Sequence, residues 1–475
     1  MAAESRAVQV AVIGAGPGGY AAAFLAADLG LSVALIDPAP NPGGVCLYRG
    51  CIPSKALLHV ARVVSETREA ADWGVTFSAP QIDFKKTGAW KDRVVQTLTA
   101  GLGQLCKQRK VRYVQGRAKF TGSAALAVET ADGAVETVTF EHAVLATGSR
   151  PAVIPALNLD SPRVLDSTTA LELDDVPASL LVVGGGYIGL ELGTVYATLG
   201  SRVSVVEMMP QLLPGADADL VRPLHKRVEG LFDSLMLETT VTGLKDLKNG
   251  VRVAFEGKNA PVKEMLFERV LVAAGRRPNS GDLGLENTRV EVDEKGFVRV
   301  DSRRRTDEPS IFAIGDVAGE PMLAHKASHE GRHAVEVIAG KDVVFEPQAI
   351  PAVVFTDPEV AWCGLTESAA RASGQEVKVA KYPWAASGRA KTLGRGDGLT
   401  RWIVDPETER ILGAGIVGPG AGELIAEAAL AIEMAATIGD LKLTIHPHPT
   451  LSETLMEAAE VFFGQSTHVY RPSRG

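Results

Sequence analysis

The chain has 475 residues, 46% hydrophobic and 22% charged, enough to bury several cores, so three or four domains are expected rather than one. A formal charge of −8 and a sequence pI of about 5.7 argue against nucleic acid or an anionic membrane as partner, and the short basic run Arg303-Arg304-Arg305 does not change that. Four cysteines in this length make no disulfide framework and point to a reducing compartment. MAAESRA, ahead of the first apolar run, is too short for a signal or transit peptide, and no stretch reaches the roughly 18 apolar residues of a membrane span, so a cytoplasmic protein is expected.

The first apolar run, VQVAVIGAGPGGYAAAFLAADLGLSVALID, reads as strand, glycine turn, helix and strand. LLVVGGGYIGLELGTVYATLGSRVSVVE repeats it: adding 170 carries Gly14, Gly16, Gly19, Gly30 and Asp37 onto Gly184, Gly186, Gly189, Gly200 and Glu207. Each copy is a G-x-G-x-x-G between strand and helix with an acid 18 residues past the third glycine. In that fingerprint the first glycine makes the tight turn, the second admits a pyrophosphate to the helix N-terminus, and the third lets helix and strand pack closely. The acid binds ribose hydroxyls. Two different dinucleotides are expected, and the second site should prefer NAD over NADP because Glu207 would repel a 2′-phosphate. Arg202, ahead of the second acid's strand, is a weak counter-signal.

Just past the first acid stands GGVCLYRGCIPSK, with Cys46 and Cys51. A disulfide needs Cα atoms roughly 4.4 to 6.8 Å apart, whereas a straight helix sets residues i and i+5 about 8 Å apart. Pairing therefore requires a bend, which Gly43-Gly44, Gly50 and Pro53 permit. Residues 61–110 read as largely helical, and VRYVQGRAKF to TVTFEHAVLATGS as alternating strands ending at Ala146-Thr147-Gly148. A similar strand pattern closes after the second copy at Ala273-Ala274-Gly275-Arg276. IFAIGD then ends a third apolar strand at Asp316, either facing a cofactor crevice or capping the next helix. From about Pro347 the composition shifts towards a separate unit, whose Ala-rich helix from Glu423 to Ala436 has an apolar face for dimerisation or for core.

TIHPHPTLSE supplies His446, His448 and Glu453. With Cys46 and Cys51 the histidines could form a Cys₂His₂ metal set, but C-x₄-C and H-x-H are not usual zinc spacings. Thr450-Leu451-Ser452-Glu453 also fits a helix capping box. A redox reading needs a dithiol, a base that titrates near neutrality, and an electron acceptor; histidine suits the base and a carboxylate can hold its tautomer. On the residues alone, structural pair, metal site and redox couple all stay open for the cysteines.

GGVCLYRGCIPSKALL, both fingerprints, ATGSRP, AAGRRPN, IFAIGD and HPHPTLSE, in this order over nearly the whole chain, resemble the bacterial dihydrolipoamide dehydrogenase family of flavin disulfide reductases. The resemblance implies an α/β protein with two Rossmann-like domains, a central domain and a C-terminal α+β dimerisation domain. Residues 1–150 would bind FAD and carry a redox disulfide, 151–276 would bind NAD, 277–346 would complete the FAD site, and 347–475 would form the dimer interface. Gly14, Gly16 and Gly19 would hold the FAD pyrophosphate and Asp37 its adenosine ribose, where the family more often has Glu. Asp316 would take the ribityl chain, and Thr147, Gly148 and Gly275 count among the cofactor-binding residues. Lys55 would lie by the flavin and pair with Glu191. Cys46 would exchange with the substrate dithiol while Cys51 touches the flavin. Gly184, Gly186, Gly189 and Glu207 would bind NAD, with Tyr187 covering the flavin until nicotinamide arrives. His448 would be the base and Glu453 its orienting carboxylate, both supplied by the other subunit of a homodimer.

The implied reaction is oxidation of protein-bound dihydrolipoyl groups with reduction of NAD⁺. The implied partners are the lipoyl domains and core acyltransferase of 2-oxo acid dehydrogenase complexes, or the glycine cleavage lipoyl protein, with no metal, nucleic acid or membrane. A glutathione-type reductase would use NADPH and a single histidine. A mercuric reductase would carry a vicinal cysteine pair near its C-terminus, which VYRPSRG lacks. One departure is Tyr48-Arg49 between the cysteines, where the charge of Arg49 is expected to lower a nearby thiol pKa or to tune the redox potential.

Overall fold

The computed structural model describes residues 6–470; the readings of MAAESRA and VYRPSRG fall largely on residues 1–5 and 471–475, outside the described residues. The first unit runs β1 (Arg6–Ile13), α1 (Pro17–Asp28), β2 (Val33–Asp37), α2 (Gly44–Arg49), α3 (Cys51–Glu69), α4 (Phe84–Gln108), β3 (Arg112–Gly122), β4 (Ala125–Thr130) and β5 (Val135–Leu145). β3, β2, β1 and β5 lie side by side and parallel, while β4 pairs antiparallel with β3 and β5. The chain switches sides at β1, so a crevice opens where β1 ends in Gly14. The expected helical stretch 61–110 is two helices: α3 stops at Glu69 and passes into a 3-10 turn, Ala70–Trp73, which Gly74 ends by turning left-handed at φ +84° before α4 starts at Phe84.

The second unit follows β6 (Ser149–Pro151) with β7 (Val164–Leu165), β8 (Ser179–Val183), α5 (Tyr187–Leu199), β9 (Arg202–Val206), α6 (Ala218–Glu229) and β10 (Ser234–Met236). A meander of β11 (Thr239–Leu247), β12 (Gly250–Gly257) and β13 (Glu264–Phe267) then returns through β14 (Arg269–Val272) to a parallel sheet ordered β10-β9-β8-β14-β7. Strand β15 (Arg276–Pro278) pairs antiparallel with β6, setting the two linkers side by side. Next, β16 (Ile311–Ala313) joins the first sheet beside β5, and α7 (Ala324–Ile338) packs across α1.

The C-terminal unit contains β17 (Ala352–Val354), β18 (Val360–Gly364), α8 (Glu367–Ser373), β19 (Lys378–Pro383), α9 (Gly388–Thr392), β20 (Leu399–Val404), β21 (Ile411–Val417), α10 (Ala421–Glu433), α11 (Ile438–Leu443) and α12 (Glu453–Phe463). Its antiparallel sheet, ordered β17-β18-β21-β20-β19, is packed around buried Trp384 and Trp402. Helix α10 buries Ile425, Ala428 and Ile432 and leaves Leu430 62% exposed; past its end Met434 is 71% exposed. One face of the helix is therefore core, and the other is exposed apolar surface. Among the described residues no helix is long and apolar enough to cross a membrane.

Candidate active site

The 170-residue repeat extends to atomic detail. Gly14 and Gly184 both turn at positive φ, +97° and +111°, where a Cβ would strike the carbonyl of Ala146 or Ala273 within 2.6 Å. At Gly19 and Gly189 a Cβ would meet the carbonyl oxygen of the first glycine at 1.8 and 2.1 Å, the close strand-to-helix packing expected of the third glycine. Asp37 accepts the N–H groups of Ala15 at 2.8 Å and Ala39 at 2.9 Å. Glu207 accepts those of Gly185 at 2.7 Å and Met209 at 2.8 Å. The donors too are 170 positions apart. Two of a carboxylate's roughly four acceptor sites are thus used to fix its direction, leaving the others for a ligand.

A cavity of about 1080 Å³ runs from Asp37 past Gly14 and Gly16 to Cys46, Cys51 and Lys55. The bend expected between the cysteines occurs at Gly50, where α2 ends and α3 begins with Cys51. The two cysteines stand as thiols in hydrogen-bond contact. That bond lowers the Cys51 pKa to about 7, assisted by the Lys55 ammonium one helical turn away, against burial and the charge of Glu191. The same bond, reinforced by burial, pushes the Cys46 pKa up. Position agrees: Cys51 opens a 19-residue helix, where the helix dipole favours a thiolate. Lys55 and Glu191 supply the largest charge effects on Cys51; Arg49, exposed at the end of α2 on the cavity wall, is not among the groups that shift it.

Lys55 Nζ lies 2.7 Å from Glu191 Oε2 and 4.5 Å from the centre of the Phe355 ring, and Phe355 N–H donates to Glu191 Oε1 at 3.0 Å. Thr147, Gly148, Tyr187 and Asp316 also line the cavity. Asp316 is no helix cap, since α7 begins eight residues later at Ala324. Its Oδ2 accepts the Ser149 hydroxyl at 2.5 Å, and Ser149 Oγ in turn accepts Arg276 Nε at 2.7 Å. Beneath it, fully buried Glu330 accepts Gly315 N–H at 2.6 Å and Arg304 Nη1 at 2.9 Å, with Lys326 Nζ at 3.1 Å. Ser149, Arg276 and Glu330 are given no site role by the sequence, although ATGSRP contains Ser149. AAGRRPN contains Arg276 and was the available signal; Glu330 had none.

Other residues named from the sequence lie apart from this cavity. Gly184, Gly186, Gly189, Glu207 and Gly275 do not line it; the first four build the second fingerprint, where a Cβ on Gly186 would face open space. His448 and Glu453 lie in the C-terminal unit. His448 Nδ1 is 2.8 Å from Glu453 Oε1, and its side chain is 75% exposed. Burial would raise the Glu453 pKa, but Thr450 N–H at 2.8 Å and the His448 ring hold it down. The capping box forms only in half: α12 begins at Glu453 itself, and the Thr450 hydroxyl donates to the Pro447 carbonyl instead. His446 bonds Glu427 on α10 at 2.8 Å, which raises its pKa.

The cavity's donors and acceptors fit FAD. The N-terminus of α1, lined by Gly16, Pro17 and Gly18, suits a pyrophosphate, Asp37 suits a ribose, and the thiols and Lys55 lie at the far end for a redox ring.

The pyridine nucleotide-disulphide oxidoreductase model matches residues 8–331, and the dimerisation domain of the same group matches residues 350–459. The dihydrolipoyl dehydrogenase of Vibrio cholerae is 51% identical over 459 residues, 97% of this chain and 96% of that protein. That of Thermus scotoductus is 47% identical over 460 residues, 96% and 98% of the two chains. The crystal structure of LpdA from Mycobacterium tuberculosis matches with a TM-score of 0.88 at 28% identity, covering 95% of this chain and 99% of that one. The flavoprotein disulfide reductase RclA of Escherichia coli, solved as a Cu(II) complex, matches with a TM-score of 0.85 at 28% identity over 96% and 99%. The chain belongs to the pyridine nucleotide-disulphide oxidoreductase family.

Proposed function

We propose that the protein oxidises protein-bound dihydrolipoyl groups to lipoyl disulfides and reduces NAD⁺, through FAD and the Cys46–Cys51 couple, as a homodimer. The observation that carries this reading is one cavity joining a dithiol, the Lys55–Glu191 pair and the first fingerprint, in a chain half identical to dihydrolipoyl dehydrogenases. FAD, when bound, supplies two-electron transfer between the dithiol and the nicotinamide.

The protein's own groups carry the thiol chemistry. Starting from the Cys46–Cys51 disulfide, the partner subunit's His448 removes the proton of one substrate thiol, and the thiolate attacks Cys46 Sγ. The S–S bond breaks and Cys51 leaves as a thiolate beside Lys55. The second substrate thiol gives its proton to Cys46 as its sulfur attacks the substrate sulfur of the mixed disulfide, releasing lipoyl disulfide. The low Cys51 and high Cys46 pKa values support this end state of one thiol and one thiolate. Supply of His448 by the partner is supported by its exposure outside its own chain's cavity. The dimerisation-domain match and the exposed Leu430, Met434, Leu443 and Ile445 support a homodimer.

Glu207 would select NAD⁺, and Tyr187 would cover the flavin site. The partners would be lipoyl domains and the acyltransferase core of 2-oxo acid dehydrogenase complexes, or the glycine cleavage lipoyl protein, in the cytoplasm. The test is steady-state turnover with dihydrolipoamide and NAD⁺, against NADP⁺ and against glutathione. Turnover is expected with the first pair and lost in Cys46→Ser; full turnover in that variant sinks the mechanism.

A further inference from the structure

Helix α12 carries a second histidine–carboxylate pair. Glu457, one helical turn past Glu453 and only 4% exposed, is bound by His468 Nδ1 and by Ser466 Oγ, the latter at 2.8 Å. Residues four apart on a helix share a face, with Cβ atoms about 5–6 Å apart. Glu453 and Glu457 therefore project side by side, and each meets a histidine from the chain flanking the helix: His448 before it, His468 after it. Ser466 Oγ also accepts Val469 N–H at 3.2 Å, which fixes the turn that presents His468.

The other charged and titratable groups here come from every neighbouring element. Glu460 adds a third carboxylate on α12, and its Oε2 has no hydrogen-bond partner among the described residues. Tyr382 and Lys378 come from β19, with Lys378 Nζ on the Phe462 carbonyl at 3.0 Å. Lys442 of α11 pairs with Gln465, and Glu427 of α10 pairs with His446. Lys378 and Lys442 are thus directed to uncharged acceptors, which leaves His468 as the basic side chain in contact with Glu457.

We propose that the His468–Glu457 pair sets the proton affinity of the His448–Glu453 pair, so that the reaction carries a second, linked histidine ionisation. This rests on the reading of His448 as the base. A buried carboxylate one turn from Glu453 adds negative potential that favours the cationic, inactive form of His448; a protonated His468 offsets it. His468 is a positioning residue: its own hydrogen bond is to Glu457, not to His448 or Glu453.

The test is the pH profile of kcat/KM for the holoenzyme dimer in the wild type and in His468→Gln, His468→Lys, Glu457→Gln and the Gln/Gln double variant. With His468→Gln the acid limb should move up by roughly half a pH unit, as expected for one partly screened charge. His468→Lys, a permanent cation, should return the limb to its wild-type position or below, and the double variant should cancel the shift. A His468→Gln limb that overlays wild type overturns the proposal, as does a shift that Glu457→Gln fails to cancel or a uniform loss of rate with no movement of the limb. Full activity in His448→Gln would instead sink the underlying assignment of the base, which separates the two failures.

Discussion

Lys55 and Glu191 meet at 2.7 Å although 136 positions separate them, and the second oxygen of Glu191 takes a backbone N–H from Phe355. One buried carboxylate thus ties together the helix that carries Cys51, the helix of the second fingerprint and the first turn of the C-terminal unit. Removing the cation leaves that charge in the interior without its partner. Lys55→Met should cost roughly 2–3 kcal/mol, below the range for a fully buried pair because the Lys55 side chain is 31% exposed. A lowered Tm is the readout, and Lys55→Met/Glu191→Gln should recover part of the loss. Equal Tm values for wild type and Lys55→Met would show that the pair holds nothing together.

The same lysine should be visible in thiol chemistry. Alkylation of the reduced protein by iodoacetamide depends on the thiolate fraction, so its rate should rise with pH through a midpoint at about 7, the Cys51 value. Cys51 is depressed first by the Cys46 hydrogen bond and then by Lys55. Cys46→Ser and Lys55→Met should therefore both move the midpoint up, and Arg49→Val should leave it in place. A midpoint that follows Arg49 would restore the role expected from the sequence.

The fingerprints were legible because each is local: strand, turn, helix and acid lie within about 30 residues, and the repeat at 170 places even the hydrogen bonds of Asp37 and Glu207 in register. The Lys55–Glu191 and His448–Glu453 pairs were named through the family resemblance, not through spacing. What stayed hidden depends on residues the fold alone brings together. Ser149 and Asp316 are 167 positions apart, and Arg401, buried against Asp217 and Asp219, is 184 and 182 away from them. No periodicity in the chain encodes such meetings. The Thr450 capping box misled for a local reason, since its hydroxyl had a nearer acceptor in the Pro447 carbonyl.

Glu207 should decide between the two pyridine nucleotides by charge. Its carboxylate is 7% exposed and aimed by the N–H groups of Gly185 and Met209. Glu207→Gln keeps the shape and one acceptor while removing the charge that repels a 2′-phosphate. The ratio of kcat/KM for NAD⁺ to that for NADP⁺ should fall roughly tenfold, the equivalent of about 1.4 kcal/mol. An unchanged ratio would remove Glu207 from the selection.

Glu330 should matter to FAD without touching the cavity. Its carboxylate is fully buried and faces two cations, Arg304 and Lys326, while its hydrogen bond to Gly315 N–H fixes the turn at φ +70° that presents Asp316. Glu330→Gln leaves both cations without their anion, at a cost of roughly 3 kcal/mol, and replaces a charge-assisted bond at Gly315 with a neutral one. Asp316 is then held more weakly from below, and mainly from the side of Ser149 and Arg276. The expected result is a lower Tm together with about tenfold weaker FAD binding, equal to about 1.4 kcal/mol, measured by reconstituting the apoprotein and following flavin fluorescence. If the Tm falls and the FAD affinity does not, Glu330 serves only to seat α7 against the sheet, and the path from Glu330 through Gly315 to Asp316 carries no influence on the cofactor.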